Sequence, residues 1–242
     1  MHKKRIITFS EAINEALSQK MAKDKNVILL GLGVDDPKGI FGTTKNLKNK
    51  FFKRVFDVPT AENSLTGISI GLALMGKKPI ISHQRVEFSL LSLDQIINQA
   101  AKWFYMFDGK KNVPIVIRLI VGRGWGQGPQ HSQSLHSFFS HIPGLKVVMP
   151  STNSSVISLL EASILDPNPV IFIEHRWLHN LKFNLSKRAE VKKLGKAKIL
   201  KKGKDITIVT CSYMTVEVLR IKNYLKDNNI DFEHIDLQTI SP

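Results

Sequence analysis

The sequence predicts an α/β protein: a parallel sheet with helices on both faces, followed by the start of a second α/β unit. Three observations carry this. Short, continuously apolar runs recur along the chain, as VILLG (27–31), PIIS (79–82), VPIVIRLIV (113–121), KVVM (146–149) and PVIFIE (169–174). Segments of helical periodicity separate them. Turn residues close the segments, as Gly76 does with Pro79 just beyond. Strands apolar along their whole length are buried on both faces, which is the signature of a parallel sheet sandwiched by helices.

The elements follow in order. Thr8-Phe9-Ser10-Glu11 reads as a capping box, and Ala12, Ile13, Ala16, Leu17 and Met21 then share one helical face. RVFDV (54–58) is a second strand, and SLTGISIGLALMGKKP (64–79) a buried helix. Leu90, Leu93, Ile96, Ile97, Ala100, Ala101 and Phe104 fall at helical spacing and predict one helix over 88–105. Helices are expected near 134–141 and 153–165. Residues 178–204 are polar, lysine-rich and weakly periodic, so 181–204 reads as a basic linker after a domain at 1–180. Residues 205–242 form one more βαβ unit. A lone βαβ of about 40 residues is a poor independent domain, so this unit is either incomplete or added to another surface.

Composition narrows the function classes. The 242 residues are 43% hydrophobic and 23% charged, an ordinary globular balance. No apolar run approaches the roughly 18 to 20 residues of a membrane span, and no h-region follows the basic start MHKKRIITF. The single cysteine, Cys211, fits a reducing compartment such as the cytoplasm and reads as a buried small hydrophobe. The net charge of +15 gathers in KNLKNKFFKR (45–54) and SKRAEVKKLGKAKILKKGK (186–204). Stacking aromatics are nearly absent from both, so a nucleic-acid groove is not expected.

Two places beyond strand ends could carry chemistry, because parallel sheets bind ligands at the carboxyl ends of their strands. One is PTAEN after RVFDV, where Glu62 is either a helix-start carboxylate satisfied by backbone amides or a crevice carboxylate. Spacing alone favours the first. The other is GRGWGQGPQHSQS (122–134), with glycine at alternate positions before Pro129 and His131. Glycines let backbone approach a ligand, which raises His131 from a structural histidine to a candidate acid or base. His136 and His141 follow at spacings of five, which does not align metal ligands on a helix. Neither a G-x-G-x-x-G fingerprint nor a P-loop is present.

With these residues in view the chain resembles the beta subunit of the thiamine-diphosphate-dependent 2-oxo acid dehydrogenases, the decarboxylating component of the pyruvate and branched-chain complexes. FDVPTAEN, GLALMGKKPI, LDQIINQAAK, NVPIVIR, GQGPQHSQS, HIPGLKVVMPS and DPNPVIFIEH occur in the family's order and spacing. The resemblance implies a transketolase-like pyrimidine-binding domain followed by an incomplete transketolase C-terminal-like domain. It implies that Glu62 hydrogen-bonds the aminopyrimidine nitrogen, that Phe88 packs on that ring, and that His131 lies near the substrate and the acyl-transfer path. By periodicity alone Phe88 would be a core residue. The resemblance further implies a monovalent cation, potassium, on the main-chain carbonyls of Ile115, Ser163, Asp166 and Asn168.

The family's Gly-Asp-Gly motif, which anchors the diphosphate through Mg2+, has no counterpart in this sequence. The resemblance therefore implies an alpha subunit that holds Mg2+ and completes an α2β2 assembly, with a lipoyl acyltransferase core as further partner. Where family members carry an acidic pair after the first strand's glycine, this chain reads Gly31-Leu32-Gly33-Val34. That departure leaves a non-catalytic or regulatory partner of the same fold open, and an acetoin-cleaving relative is open as well.

Overall fold

The computed structural model describes residues 5–185 and 193–241. The elements are β1 (Arg5–Thr8), α1 (Phe9–Lys23), β2 (Val27–Gly31), α2 (Leu47–Lys50), β3 (Val55–Asp57), α3 (Glu62–Leu74), β4 (Lys78–Ser82), α4 (Trp103–Met106), β5 (Val116–Val121), α5 (His136–Ser140), β6 (Lys146–Val148), α6 (Asn153–Leu165), β7 (Val170–His175), β8 (Lys182–Leu185), β9 (Lys198–Lys201), β10 (Ile206–Thr210), α7 (Tyr213–Asp227), β11 (Phe232–Asp236) and β12 (Thr239–Ser241). Seven strands form the main sheet in the order β12-β6-β7-β5-β4-β2-β3. All its pairings are parallel except that of β12 with β6.

Alternate residues of each strand feed opposite faces. Leu29, Val116 and Phe172 join Phe9, Ile13, Leu17 and Val156 in one apolar cluster. Leu30, Ile117 and Ile171 join Leu65, Ile70 and Ile96 in the other. This two-sided burial is why the strands are apolar throughout. The capping box at α1 is present: the Thr8 hydroxyl accepts from the Glu11 N–H at 3.2 Å, and the Glu11 carboxylate accepts from the Thr8 N–H at 2.7 Å.

Three expectations change. The helix expected over 88–105 is broken into a 3-10 segment (Val86–Ser92), a π-type turn (Gln95–Ala100) and α4. The Ala101 N–H reaches back to the Ile96 carbonyl at 3.0 Å. The helical spacing still placed Ile96, Ala100 and Ala101 in the core, while Leu90 and Phe104 are exposed. The span read as a linker carries strands. β8 pairs antiparallel with β1, which the sequence reading did not anticipate, and β9 pairs antiparallel with β11. Residues 186–192 of the basic cluster lie outside the described residues. Cys211 is half-buried rather than fully buried, and burial raises its thiol pKa.

The last βαβ unit is not detached. β12 extends the main sheet, the Ser151 hydroxyl donates to the Asp236 carboxylate at 2.6 Å, and Val216 of α7 enters the first apolar cluster.

Beneath the strand ends lies a buried ionic network. The Arg118 guanidinium donates through Nε and Nη2 to the two oxygens of Glu174, at 2.6 and 3.0 Å, and through Nη1 to Ser82 Oγ at 3.0 Å. His179 Nε2 lies 3.2 Å from the same carboxylate. Arg118, Glu174 and His179 are all essentially inaccessible to solvent. The network ties β4, β5 and β7 together where the candidate site begins.

Candidate functional site

Glu62 is the first residue of α3, and β3 delivers the chain to it. No side chain caps this helix start. The residue is largely buried, and among the described residues its carboxylate accepts no hydrogen bond. The helix-start reading is therefore not the arrangement observed: amides do not satisfy this carboxylate. It opens instead into a slot lined by Leu32, Val58, Leu65, His83, Gln84 and Phe88. That set offers apolar walls, one aromatic ring, one unpartnered carboxylate and two further polar groups. Its chemistry fits a flat, nitrogen-rich ring. The enclosed space is only about 20 Å3, room for a water and not for a ring. A second surface is needed to complete it.

Phe88 is only partly buried. One face of its environment is the Glu62 slot, and on the other side the His131 ring meets it edge-on, with centroids 5.6 Å apart. Phe88 thus joins Glu62 and His131 into one crevice. His131 arrives on a loop whose four alternating glycines all have positive φ, from +65° at Gly126 to +133° at Gly122. A side chain at Gly122 would also crowd Arg176. The alternation thus reflects repeated left-handed backbone as well as close approach.

Sequence reasoning missed Glu87. Its Oε1 lies 2.6 Å from His131 Nδ1. Its Oε2 is buried without a partner. A carboxylate on Nδ1 fixes the imidazole's orientation and tautomer and leaves Nε2 as the atom that faces chemistry. The only signal in the sequence was its place beside Phe88. His83 was missed as well. It lines the slot, its Nε2 is buried without a partner, and burial lowers its pKa to about 4. Burial likewise lowers His175, stacked on Tyr213, to about 4.

For both histidines the unfolded chain takes up a proton near pH 6.5 and the folded chain does so only near pH 4. The unfolded state then binds more protons, so stability falls as pH drops through that window. Each histidine contributes a slope of up to about 1.4 kcal/mol per pH unit. Urea unfolding between pH 7 and 4 should show the decline, and His83→Gln should flatten it.

The four residues expected at a monovalent cation gather at the corner between α6 and β7. The Ile115 carbonyl accepts from the Val170 N–H at 2.9 Å, and the Ser163 carbonyl from the Asp166 N–H at 3.3 Å. The Asp166 carboxylate already binds the Lys146 ammonium at 2.5 Å and the Asn168 N–H at 2.9 Å. Asn168 Oδ1 is buried without a partner. This corner is remote in the fold from the Glu62 crevice and borders a separate apolar cavity beside Phe104 and Tyr105.

A parallel sheet with these groups at its carboxyl ends defines a transketolase-like α/β chain. The sequence pattern of the transketolase pyrimidine-binding domain matches residues 5–181, and that of the transketolase C-terminal domain matches residues 195–242. The acetoin:2,6-dichlorophenolindophenol oxidoreductase subunit beta of Cupriavidus necator is 42% identical, over 98% of this chain and 73% of that one. The pyruvate dehydrogenase E1 component subunit beta-1, mitochondrial, of Arabidopsis thaliana is 39% identical over 98% of this chain and 66% of its own length. The corresponding Rhizobium meliloti subunit is 38% identical over 98% and 52%. This chain thus spans from about half to three quarters of these relatives. A solved split-gene transketolase, an inactive beta4 tetramer, superposes with a TM-score of 0.80 at 20% identity over 96% of this chain and 72% of that one, a likeness of fold. The chain belongs to the family of beta subunits of thiamine-diphosphate-dependent 2-oxo acid dehydrogenases, within the transketolase pyrimidine-binding fold. Among its described residues no helix is long and apolar enough to cross a membrane.

Proposed function

We propose that this chain supplies the pyrimidine-side half of an active site that decarboxylates a 2-oxo acid oxidatively and passes the acyl group to a lipoyl arm. The observation that carries the reading is the crevice itself. Glu62 has a carboxylate without a hydrogen-bond partner among the described residues, Phe88 lies beside it, and His131 lies against Phe88. A carboxylate left free of such partners at a strand-end crevice is available to a ligand's hydrogen-bond donor.

When bound, thiamine diphosphate supplies the electron sink for decarboxylation. The residues of this chain hold and orient. Glu62 hydrogen-bonds a ring nitrogen of the aminopyrimidine, and Phe88 covers a ring face. His131, held at Nδ1 by Glu87, keeps Nε2 for a proton at the acyl-transfer step. An alpha subunit in an α2β2 assembly holds the diphosphate through Mg2+. Exposed apolar side chains stand near the crevice on this chain, Leu90 and Leu91 just after Phe88. Such patches mark protein interfaces. Potassium on the Ile115, Ser163, Asp166 and Asn168 carbonyls would brace the α6–β7 corner, and the lipoyl acyltransferase core is the acceptor.

A second reading, cleavage of acetoin, draws on the 42% identical relative. Reconstituting the chain with an alpha subunit, thiamine diphosphate and Mg2+ decides between them. Release of carbon dioxide from pyruvate or a branched-chain 2-oxo acid supports the first. Turnover of acetoin alone replaces it with the second, and no turnover of either leaves only a non-catalytic role.

Glu87→Gln tests the positioning of His131. A charge-assisted hydrogen bond contributes about 1.5–3 kcal/mol, so kcat should fall about tenfold or more with KM little changed. The His131 ring 15N shifts should show a changed tautomer balance. An unaltered ring spectrum would mean that Glu87 does not set the imidazole.

A further inference from the structure

Two guanidinium groups meet at the mouth of the glycine loop. Arg85 follows β4 and Arg176 follows β7, so both stand beyond strand carboxyl ends. Arg85 is only 6% exposed, and its Nη1 donates to the Gly122 carbonyl at 3.2 Å. The Arg176 side chain makes no hydrogen bond, and neither arginine forms an ion pair, among the described residues. The Trp125 ring lies under both, 5.8 Å from the Arg85 guanidinium carbon and 5.6 Å from that of Arg176. Phe41 supports Arg176 from another side at 4.3 Å. Aromatic faces stabilise such cations in part and leave the charge unneutralised.

Two partly dehydrated positive charges side by side are costly without an anion. Burial lowers the pKa of both arginines; the Arg85 charge lowers that of Arg176 further, while the Glu87 carboxylate partly offsets the effect at Arg85. Arg176 also lines a cavity of about 420 Å3, with Gly33, Lys38, Phe41, Gln84 and Asn180. The one carboxylate on its wall, Asp36, already accepts the Lys38 N–H at 2.7 Å. Gln84 lines this cavity and the Glu62 slot as well. The cavity is therefore the neighbour of the site described above and carries its positive charge.

We propose that Arg85 and Arg176 form an anion subsite that takes the carboxylate of a small 2-oxo acid entering the crevice. This rests on the reading that the crevice acts on such an acid, and it adds which residues recognise it. The guanidinium fork matches a carboxylate, and the cavity that Arg176 lines, about 420 Å3, gives such an anion room to enter.

The test titrates pyruvate into the 242-residue chain without its alpha partner or cofactor, at low ionic strength. Trp125 and Trp177, whose rings lie 6.4 Å apart beside the arginines, report through their fluorescence. A saturable change is expected, with affinity weakened about tenfold or more in R85Q and in R176Q and unchanged in R123Q, an exposed arginine of the same loop. The neutral ethyl ester of pyruvate should give no response. If R85Q melts early by circular dichroism, R176Q, which is the more exposed, carries the test. An equal response to sodium chloride at matched ionic strength overturns the subsite. So does wild-type affinity in R176Q, or tighter binding of inorganic phosphate than of pyruvate. Intact pyruvate binding without decarboxylation by the reconstituted complex would sink the functional reading and leave the subsite. Decarboxylation without this binding would do the reverse.

Discussion

Glu62→Ala is expected to abolish carbon dioxide release by the reconstituted complex, a loss of about 100-fold or more, without weakening the fold. The two halves of this expectation have one cause. The residue is largely buried, and its carboxylate has no hydrogen-bond partner among the described residues. No hydrogen bond among the described residues depends on it. Removing it should leave urea stability nearly unchanged. A purely structural carboxylate would behave in the opposite way: its loss would strand partner amides and lower stability by about 1–3 kcal/mol. Melting and turnover measured on the same preparation separate the cases. Glu62→Gln sharpens the result, since it keeps the shape and loses the acid. Undiminished turnover in either variant would remove Glu62 from the reaction.

Arg118→Met should cost about 3–5 kcal/mol of stability, the largest single loss expected in the chain. The substitution preserves much of the volume and leaves the inaccessible Glu174 carboxylate with only its contact to His179. Burial by itself would raise the Glu174 carboxyl pKa. The Arg118 charge, with hydrogen bonds from His179 and Arg118, outweighs it and holds the group below its ordinary value of 4.5. A carboxyl depressed in this way contributes stability that is complete above the unfolded pKa and is lost as pH falls through the folded one. The variant should therefore lose this acid-side component of its pH dependence along with the stability. Urea unfolding at pH 7 and pH 4 measures both. The double change Arg118→Met with Glu174→Leu should recover most of the loss, because no charge is then stranded. A double variant as unstable as the single one would mean that packing, not charge, sets the cost.

Much of this protein was legible in its residues, for reasons of periodicity. VILLG, PIIS and VPIVIRLIV announced a sheet buried on both faces, and the strands are found there with alternate side chains in two clusters. The capping box at Thr8 was legible because capping is local: it needs only residues three apart. The broken helix at 86–106 was not, because a π-type turn buries the same residues as a regular one. β8 was hidden because KFNL acquires a strand's hydrogen bonds only from β1, about 175 residues earlier in the sequence. At the site, order and spacing of motifs pointed to Glu62, Phe88 and His131. Glu87 gave no such sign, since its meaning lies in a bond to a residue 44 positions away.

The sequence by itself determined the parallel sheet, the helices over its faces and the family, because apolar spacing and motif order are properties of the chain read in line. Tertiary structure alone decided that Glu62 would lack a hydrogen-bond partner among the described residues, that Glu87 would hold His131, and that Arg85 and Arg176 would share Trp125. These are relations between the ends of different strands. Charge and desolvation act through distance in space, and only the crossovers of the sheet bring those ends together.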